Sequence, residues 1–241
     1  MLAKIPIKGH SETTHESIFL EGDLCIPQNS GGLVVFVHGS GSGRLSPRNQ
    51  SVAEKLNRDG LATLLFDLLT ISEEKIDNQT RRLRFDINLL SMRLISTLDW
   101  IVNNPDTQNL SVGLFGASTG AAAALVVAAM RQSVVSAIVS RGGRPDLADR
   151  DILRRVRAPT LLLVGENDEQ VLKLNEEASK HVQAEKKKTT VIPGASHLFE
   201  EPGKLEEVAR LASGWFRCFF WVKEHSLMRE KLEYMILRFT S

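Results

Sequence analysis

Cysteine is scarce in this 241-residue chain, which holds two, Cys25 and Cys218. Two thiols so far apart in sequence make neither a disulfide framework nor a zinc site, and Cys25, inside a strand-like run, is expected to fill core. Net charge is almost absent too. Lys and Arg total 30 against 29 Asp and Glu, a balance of +1, so no whole-molecule field recommends nucleic acid or an anionic membrane as partner. Long apolar runs are missing as well. Even AAAALVVAAM gives way to Arg131 and Gln132, short of the roughly 18 to 20 residues that span a bilayer. The opening MLAKIPIKGHSETTHE carries lysines, but Pro6 and Lys8 interrupt any apolar core of a secretion signal. No repeat, low-complexity tract or long linker divides the chain, and one domain over residues 1–241 is expected. These absences predict a cytoplasmic protein that needs no metal or cofactor and acts on a small molecule.

What is present is an alternation. LVVFV at 33–37, LATLLF at 61–66 and LSVGLF at 110–115 have the unbroken apolar character of parallel strands buried on both faces. Between them SPRNQSVAEKLNRDG reads as a helix, with Ser46 as N-cap, Pro47 at its first position and Gly60 as its stop. A longer helix is expected from about Phe85 to Asn103, because Ile87, Leu90, Leu94, Leu98 and Ile101 recur at three- and four-residue intervals before Pro105. VVSAIVS, APTLLLVG and KKTTVIP supply further strands, and KLEEVARLASGWF a last helix, while AKIPIK and FLEGDLCIP begin the sheet as antiparallel strands. Alternating β and α units build a mostly parallel sheet, here of seven or eight strands, with helices on both faces. Ligands bind at the carboxyl ends of such strands. The tail from 218 to 241 mixes apolar and charged residues at helical spacing; it is expected to add a helix that packs on the body or on another copy in a homo-oligomer.

The segment with chemical content is GLFGASTG, where a buried-strand pattern runs into Gly116-Ala117-Ser118-Thr119-Gly120 and then into helix-forming alanines. This is G-x-S-x-G between strand and helix, the context of a nucleophile held on a strained turn. Serine is a poor nucleophile at neutral pH and needs a base, which in turn needs an orienting group. Both follow. Asp168 ends APTLLLVGEND, a buried strand leading into a polar turn, and His197 lies in PGASHLF after the last strand. Each carboxyl-edge position, in the order serine, acid, histidine, matches an α/β-hydrolase triad.

HGSGSG after the strand at 33–37 supplies His38, Gly39, Ser40 and Gly41. The backbone N–H groups of Ser40 and Thr119 are the expected oxyanion donors, one in this loop and one following the nucleophile. Gly39, Gly41 and Gly43 give G-x-G-x-G, which departs from the G-x-G-x-x-G of dinucleotide sites. His38 is expected to support the turn.

LVVFVHGSGSG, GLFGASTG, LLLVGENDE and GASHLFEEPG together resemble the dienelactone-hydrolase-like branch of the α/β-hydrolase superfamily over about residues 15–217. Dienelactone hydrolases carry a cysteine nucleophile, and this chain departs from them in having Ser118 at that position. SGRLSPRNQSVAEKL and GLATLLFDLL are also similar to bacterial hydrolases, some of them fused to phosphoribosyltransferase-like domains; no such second domain is expected in these 241 residues.

The expected activity is hydrolysis of a carboxylic ester or lactone through an acyl-enzyme. Thioester hydrolysis or acyl transfer by the same triad, and a binding module that kept only the fold, are the alternatives. Only RGGRPDLADRDILRRVR separates the sixth and seventh strands, room for one helix and no large lid. Arg44 and Arg48 follow one strand near the nucleophile, and Arg141 and Arg144 another. Solvated loop arginines are the simpler reading; turned inward, these side chains, Arg44, Arg141 and Arg144 among them, would favour a substrate carrying a carboxylate or phosphate. Glu73 and Glu74 in TISEEKIDNQT are expected to form a solvated acidic turn, and Trp100, Trp215 and Trp221 to serve packing.

Overall fold

A computed structural model describes residues 1–7 and 18–220. Eight strands form one sheet: β1 (Leu2–Ile7), β2 (Ile18–Cys25), β3 (Gly32–Val37), β4 (Ala62–Phe66), β5 (Ser111–Ala117), β6 (Val135–Arg141), β7 (Thr160–Gly165) and β8 (Lys187–Ile192). Their spatial order is β1-β2-β4-β3-β5-β6-β7-β8. β1 pairs antiparallel with β2, and β2 antiparallel with β4. All other pairs are parallel, with β5 central between β3 and β6.

Every residue of β3, β4, β5 and β7 is buried, which is why their sequences are continuously apolar rather than alternating. Helices α1 (Pro47–Arg58) and α7 (Lys204–Phe220) cover one face, where Val52, Leu56, Phe216 and Phe220 meet Phe36 and Phe115 of the sheet. Helices α3 (Ile87–Asn103) and α4 (Thr119–Met130) cover the other, through Leu90, Leu94, Leu98, Ile101 and the alanines of α4. Each fully buried Leu or Phe contributes about 1.5–3 kcal/mol relative to exposure. The 3.6-residue spacing read in α3 is therefore the spacing of its core contacts.

Three details differ from the sequence reading. Cys25 is exposed at the end of β2 rather than in the core, while Cys218 is buried. TISEEKIDNQT is no solvated turn: Ile71–Thr80 form helix α2, closed by a capping box in which Thr70 Oγ1 accepts from the Glu73 N–H and Glu73 accepts from the Thr70 N–H. The β6–β7 connection, by contrast, agrees with the expected room for one helix and no large lid: it holds a 3₁₀ turn, Pro145–Leu147, and a single four-residue helix α5 (Arg150–Leu153). Helix α6 (Glu169–His181) follows β7 directly, a connection to which no helix had been assigned. Trp100 packs on one core face and Trp215 on the other. Trp221 and the expected tail helix lie outside the described residues, apart from the end of α7.

Candidate active site

Ser118 occupies the turn between β5 and α4 with φ 48° and ψ −121°, a conformation that costs a non-glycine residue about 1–3 kcal/mol. The flanking glycines explain how it is held. A Cβ on Gly120 would lie 2.1 Å from Val37 O and 2.4 Å from His38 O, and one on Gly116 would lie 2.5 Å from Ala121 Cα. Only hydrogen at these positions lets α4 start against the ends of β3 and β5. The Ser118 N–H donates to Arg141 O at 3.3 Å, and Ser118 O accepts from the Arg144 N–H at 3.1 Å. The Ser118 turn is thus pinned to the end of β6 and the loop after it.

Asp168 and His197 meet because their two loops are knitted together. The N–H groups of Glu166 and Asn167 donate to Ile192 O and Ala195 O, at 3.0 and 2.9 Å. Gly165 makes the approach feasible, since a Cβ there would stand 2.3 Å from Ala195 O. Across this junction His197 Nδ1 lies 2.6 Å from Asp168 Oδ2. Their side chains are 38% and 15% exposed, so Nε2 of a half-open imidazole is left for other work. His197 also flanks the loop that holds Ser118: a Cβ on Gly142 would lie 3.1 Å from His197 O. Among the described residues no hydrogen bond joins the Ser118 hydroxyl to the imidazole, a contact that in substrate-free sites often tightens only on binding.

The glycine loop after β3 packs directly on Ser118. A Cβ on Gly39 would lie 3.0 Å from Ser118 Cβ, and Gly41 adopts φ 69°. Neither the Ser40 nor the Thr119 N–H is bonded to another group among the described residues, which leaves two unused donors, one after β3 and one at the start of α4, on either side of Ser118. His38 braces this loop. The Leu68 N–H donates to His38 Nε2 at 3.0 Å, which leaves Nδ1 to donate to Gly39 O at 3.0 Å. Burial holds the His38 pKa below its ordinary value against the opposing effects of Gly39 O, Asp67 and Glu74. The imidazole is neutral and structural, in keeping with its expected support of the turn.

A cavity of about 100 Å³ adjoins Ser40 and Thr119, walled by Leu68, Leu69, Leu90 and Arg84. Arg84 and its partner Asp77 escaped the sequence reading. Arg84 Nε donates to Asp77 Oδ2 at 2.5 Å, and Nη1 lies 3.5 Å from where a Gly41 Cβ would be. Burial pushes the Asp77 carboxyl up, but the Arg84 guanidinium and N–H groups outweigh it and hold the pKa low. The signal available in the sequence was the T-x-x-E capping box at Thr70–Glu73, which announces a helix start.

The remaining arginines divide. Arg44 is spent on Glu21, Asp23 and Asp67, at 2.5, 3.1 and 3.0 Å, which ties the glycine loop to β2 and the end of β4. Arg144 is paired with Asp146 at 2.7 Å. Arg141 is buried and has no carboxylate partner among the described residues.

Residues 30–211 match the family described as "Alpha/beta hydrolase domain". The chain belongs to the α/β-hydrolase family. Within that family it is similar to the crystal structure of a dienelactone hydrolase from Anabaena variabilis, at 55% identity and a TM-score of 0.82, over 89% of this chain and 99% of that one. Est1E from Butyrivibrio proteoclasticus shares the α/β-hydrolase fold at 18% identity and a TM-score of 0.70, over 89% and 97% of the two chains. A protein of Mycobacterium tuberculosis strain H37Rv, whose name is that of a phosphoribosyl transferase, is 56% identical over 195 residues, 81% of this chain and 43% of its own length. This α/β hydrolase therefore spans less than half the length of that relative. Among its described residues no helix is long and apolar enough to cross a membrane.

Proposed function

We propose that this chain is a serine hydrolase that cleaves a carboxylic ester or lactone through Ser118, His197 and Asp168. His197 Nε2 takes the Ser118 proton as Oγ attacks the acyl carbon. Asp168, accepting from Nδ1–H, fixes the tautomer and stabilises the imidazolium. The Ser40 and Thr119 N–H groups receive the negative charge on the carbonyl oxygen, and the positive end of α4 adds to their field. His197 then returns the proton to the departing alkoxide, giving an alcohol and an acyl-enzyme. Water, deprotonated by the same nitrogen, attacks that ester, and the acid leaves as Oγ recovers its proton.

The observation that carries this reading is the 2.6 Å His197–Asp168 contact at the same sheet edge where Ser118 sits at φ 48°. A hydrogen bond kept only for stability would not require a strained serine at the head of the neighbouring helix. The phosphoribosyl transfer named for the longer relative forms no part of the proposal, because more than half of that protein lies outside the matched segment.

Pre-steady-state kinetics on p-nitrophenyl acetate test it, alongside a panel of lactones and thioesters. A burst of p-nitrophenol stoichiometric with enzyme, lost in Ser118→Ala, is the expected result. Turnover that survives Ser118→Ala, or no turnover of any acyl compound, would count against it.

A further inference from the structure

Two arginines among the described residues are buried, and they differ in one respect. Arg93 Nη2 donates to Glu73 Oε1 at 2.5 Å. Arg141, 8% exposed, has no carboxylate: its Nη1 is buried without a hydrogen-bond partner. Its guanidinium carbon lies 6.0 Å from the Phe115 ring centroid, and a ring face replaces little of the hydration a cation loses. The charged neighbour that acts on it, Arg48, carries the same sign, and burial together with Arg48 pushes the Arg141 pKa down to about 10. An uncompensated buried charge is costly. A guanidinium held in that condition calls for an anion from outside the protein.

Three further observations place that anion. Arg48 lies in the first turn of α1, whose N-cap Ser46 makes no side-chain capping bond, so the positive end of a 12-residue helix adds to the two guanidinium groups. Arg48 Nη1 is bonded to Glu200 at 2.5 Å, while its Nε is buried without a partner. Arg141 pairs in register with Ala117, its carbonyl accepts from the Ser118 N–H, and Gly142 packs on His197. The residue that carries the unpaired cation thus adjoins, through its backbone, both the Ser118 turn and the loop of His197.

We propose that Arg141, assisted by Arg48 and the start of α1, is an oxyanion-binding subsite that selects esters bearing a carboxylate or phosphate-type group over neutral ones. The planar fork of Arg141 receives two oxygens of such a group together. The preference rests on the serine-hydrolase reading above, whereas the anion site itself stands on the burial of Arg141.

The test compares p-nitrophenyl esters of succinic acid, of 3-phosphonopropionic acid and of neutral butyric acid. In wild-type enzyme kcat/KM is higher for one or both anionic esters, and which of the two is favoured identifies the anion. In Arg141→Met the anionic-to-neutral ratio falls about tenfold or more, the expected loss of a charged hydrogen-bonded contact. Arg141→Lys keeps part of the ratio, and a merely structural role would lower all three substrates together. Should Arg141→Met not fold, Arg48→Gln at the half-exposed partner is expected to lower the same ratio several-fold and to raise the Ki of free succinate or inorganic phosphate. A ratio unaltered in Arg141→Lys and Arg48→Gln overturns the proposal. If no ester is hydrolysed at all, the serine-hydrolase reading fails by itself. Calorimetric titration of wild type and Arg48→Gln with succinate and inorganic phosphate then decides the site, and equal or absent binding in both overturns it.

Discussion

Ser118 carries the strain of its turn in its own backbone. At φ 48° the chain is in a region that side chains avoid, and the cost is met by the close seating of Gly116 and Gly120. Gly120→Ala should therefore do more than add a methyl group: its Cβ would overlap Val37 O, so the protein is expected to lose its cooperative thermal transition or to melt many degrees lower. Asp168→Asn is gentler on the fold. It leaves the loops joined through Glu166 and Asn167 but offers His197 the wrong tautomer, and kcat is expected to fall roughly 10³- to 10⁴-fold with an unchanged melting temperature. A variant that keeps wild-type kcat would remove Asp168 from the mechanism.

His38 makes the stability of the fold depend on pH. Its pKa is lowered in the fold, so between the ordinary value of 6.5 and the lowered one the unfolded chain binds more protons than the folded chain. Stability is therefore full above about pH 6.5 and is lost as pH falls below it. Protonation would also take away the lone pair that accepts the Leu68 N–H. Melting temperatures measured from pH 7.5 to 5.5 are expected to fall less steeply in His38→Gln than in the wild type; identical slopes would assign the dependence to other groups.

At the scale of elements, the strands and the long helices were legible because burial wrote itself into hydrophobic spacing. The apolar runs at 33–37 and 110–115 became β3 and β5, and the stripe of Leu90, Leu94 and Leu98 became the core face of α3. Helix α2 had no such spacing. Ile71 and Ile76 are 64% and 55% exposed, and its one buried residue is Asp77. Polar partners from elsewhere hold it, with Arg84 on Asp77 and Arg93 on Glu73. Those partners cannot be paired from sequence, although the capping box that starts the helix was visible. Arg141 illustrates the same limit, since spacing placed it near Ser118 and only the fold distinguished it from the neutralised Arg44 and Arg144. Asp77→Ala leaves Arg84 without its partner beside the cavity, and a destabilisation of about 3 kcal/mol is expected in denaturant unfolding. A loss under about 0.5 kcal/mol would mean that α2 is not anchored through this pair.

Over the whole molecule, the site depends on a sheet clamped from both faces. Phe216 and Phe220 of α7 enter a notch made by Gly113 and Gly32, where an added Cβ would come within 2.6 Å of the rings. Phe216→Ala empties a fully buried position and is expected to cost about 3–5 kcal/mol, measurable as a lowered urea midpoint. The clamp brings three loops, after β5, β7 and β8, to one edge, and the proposed chemistry stands or falls on that convergence. Reaction with a fluorophosphonate followed by peptide mapping probes it most directly. A single phosphonyl adduct on Ser118, formed rapidly in the wild type and far more slowly in His197→Ala, is the predicted result. An unmodified Ser118, or labelling that proceeds at the same rate without His197, would contradict the account.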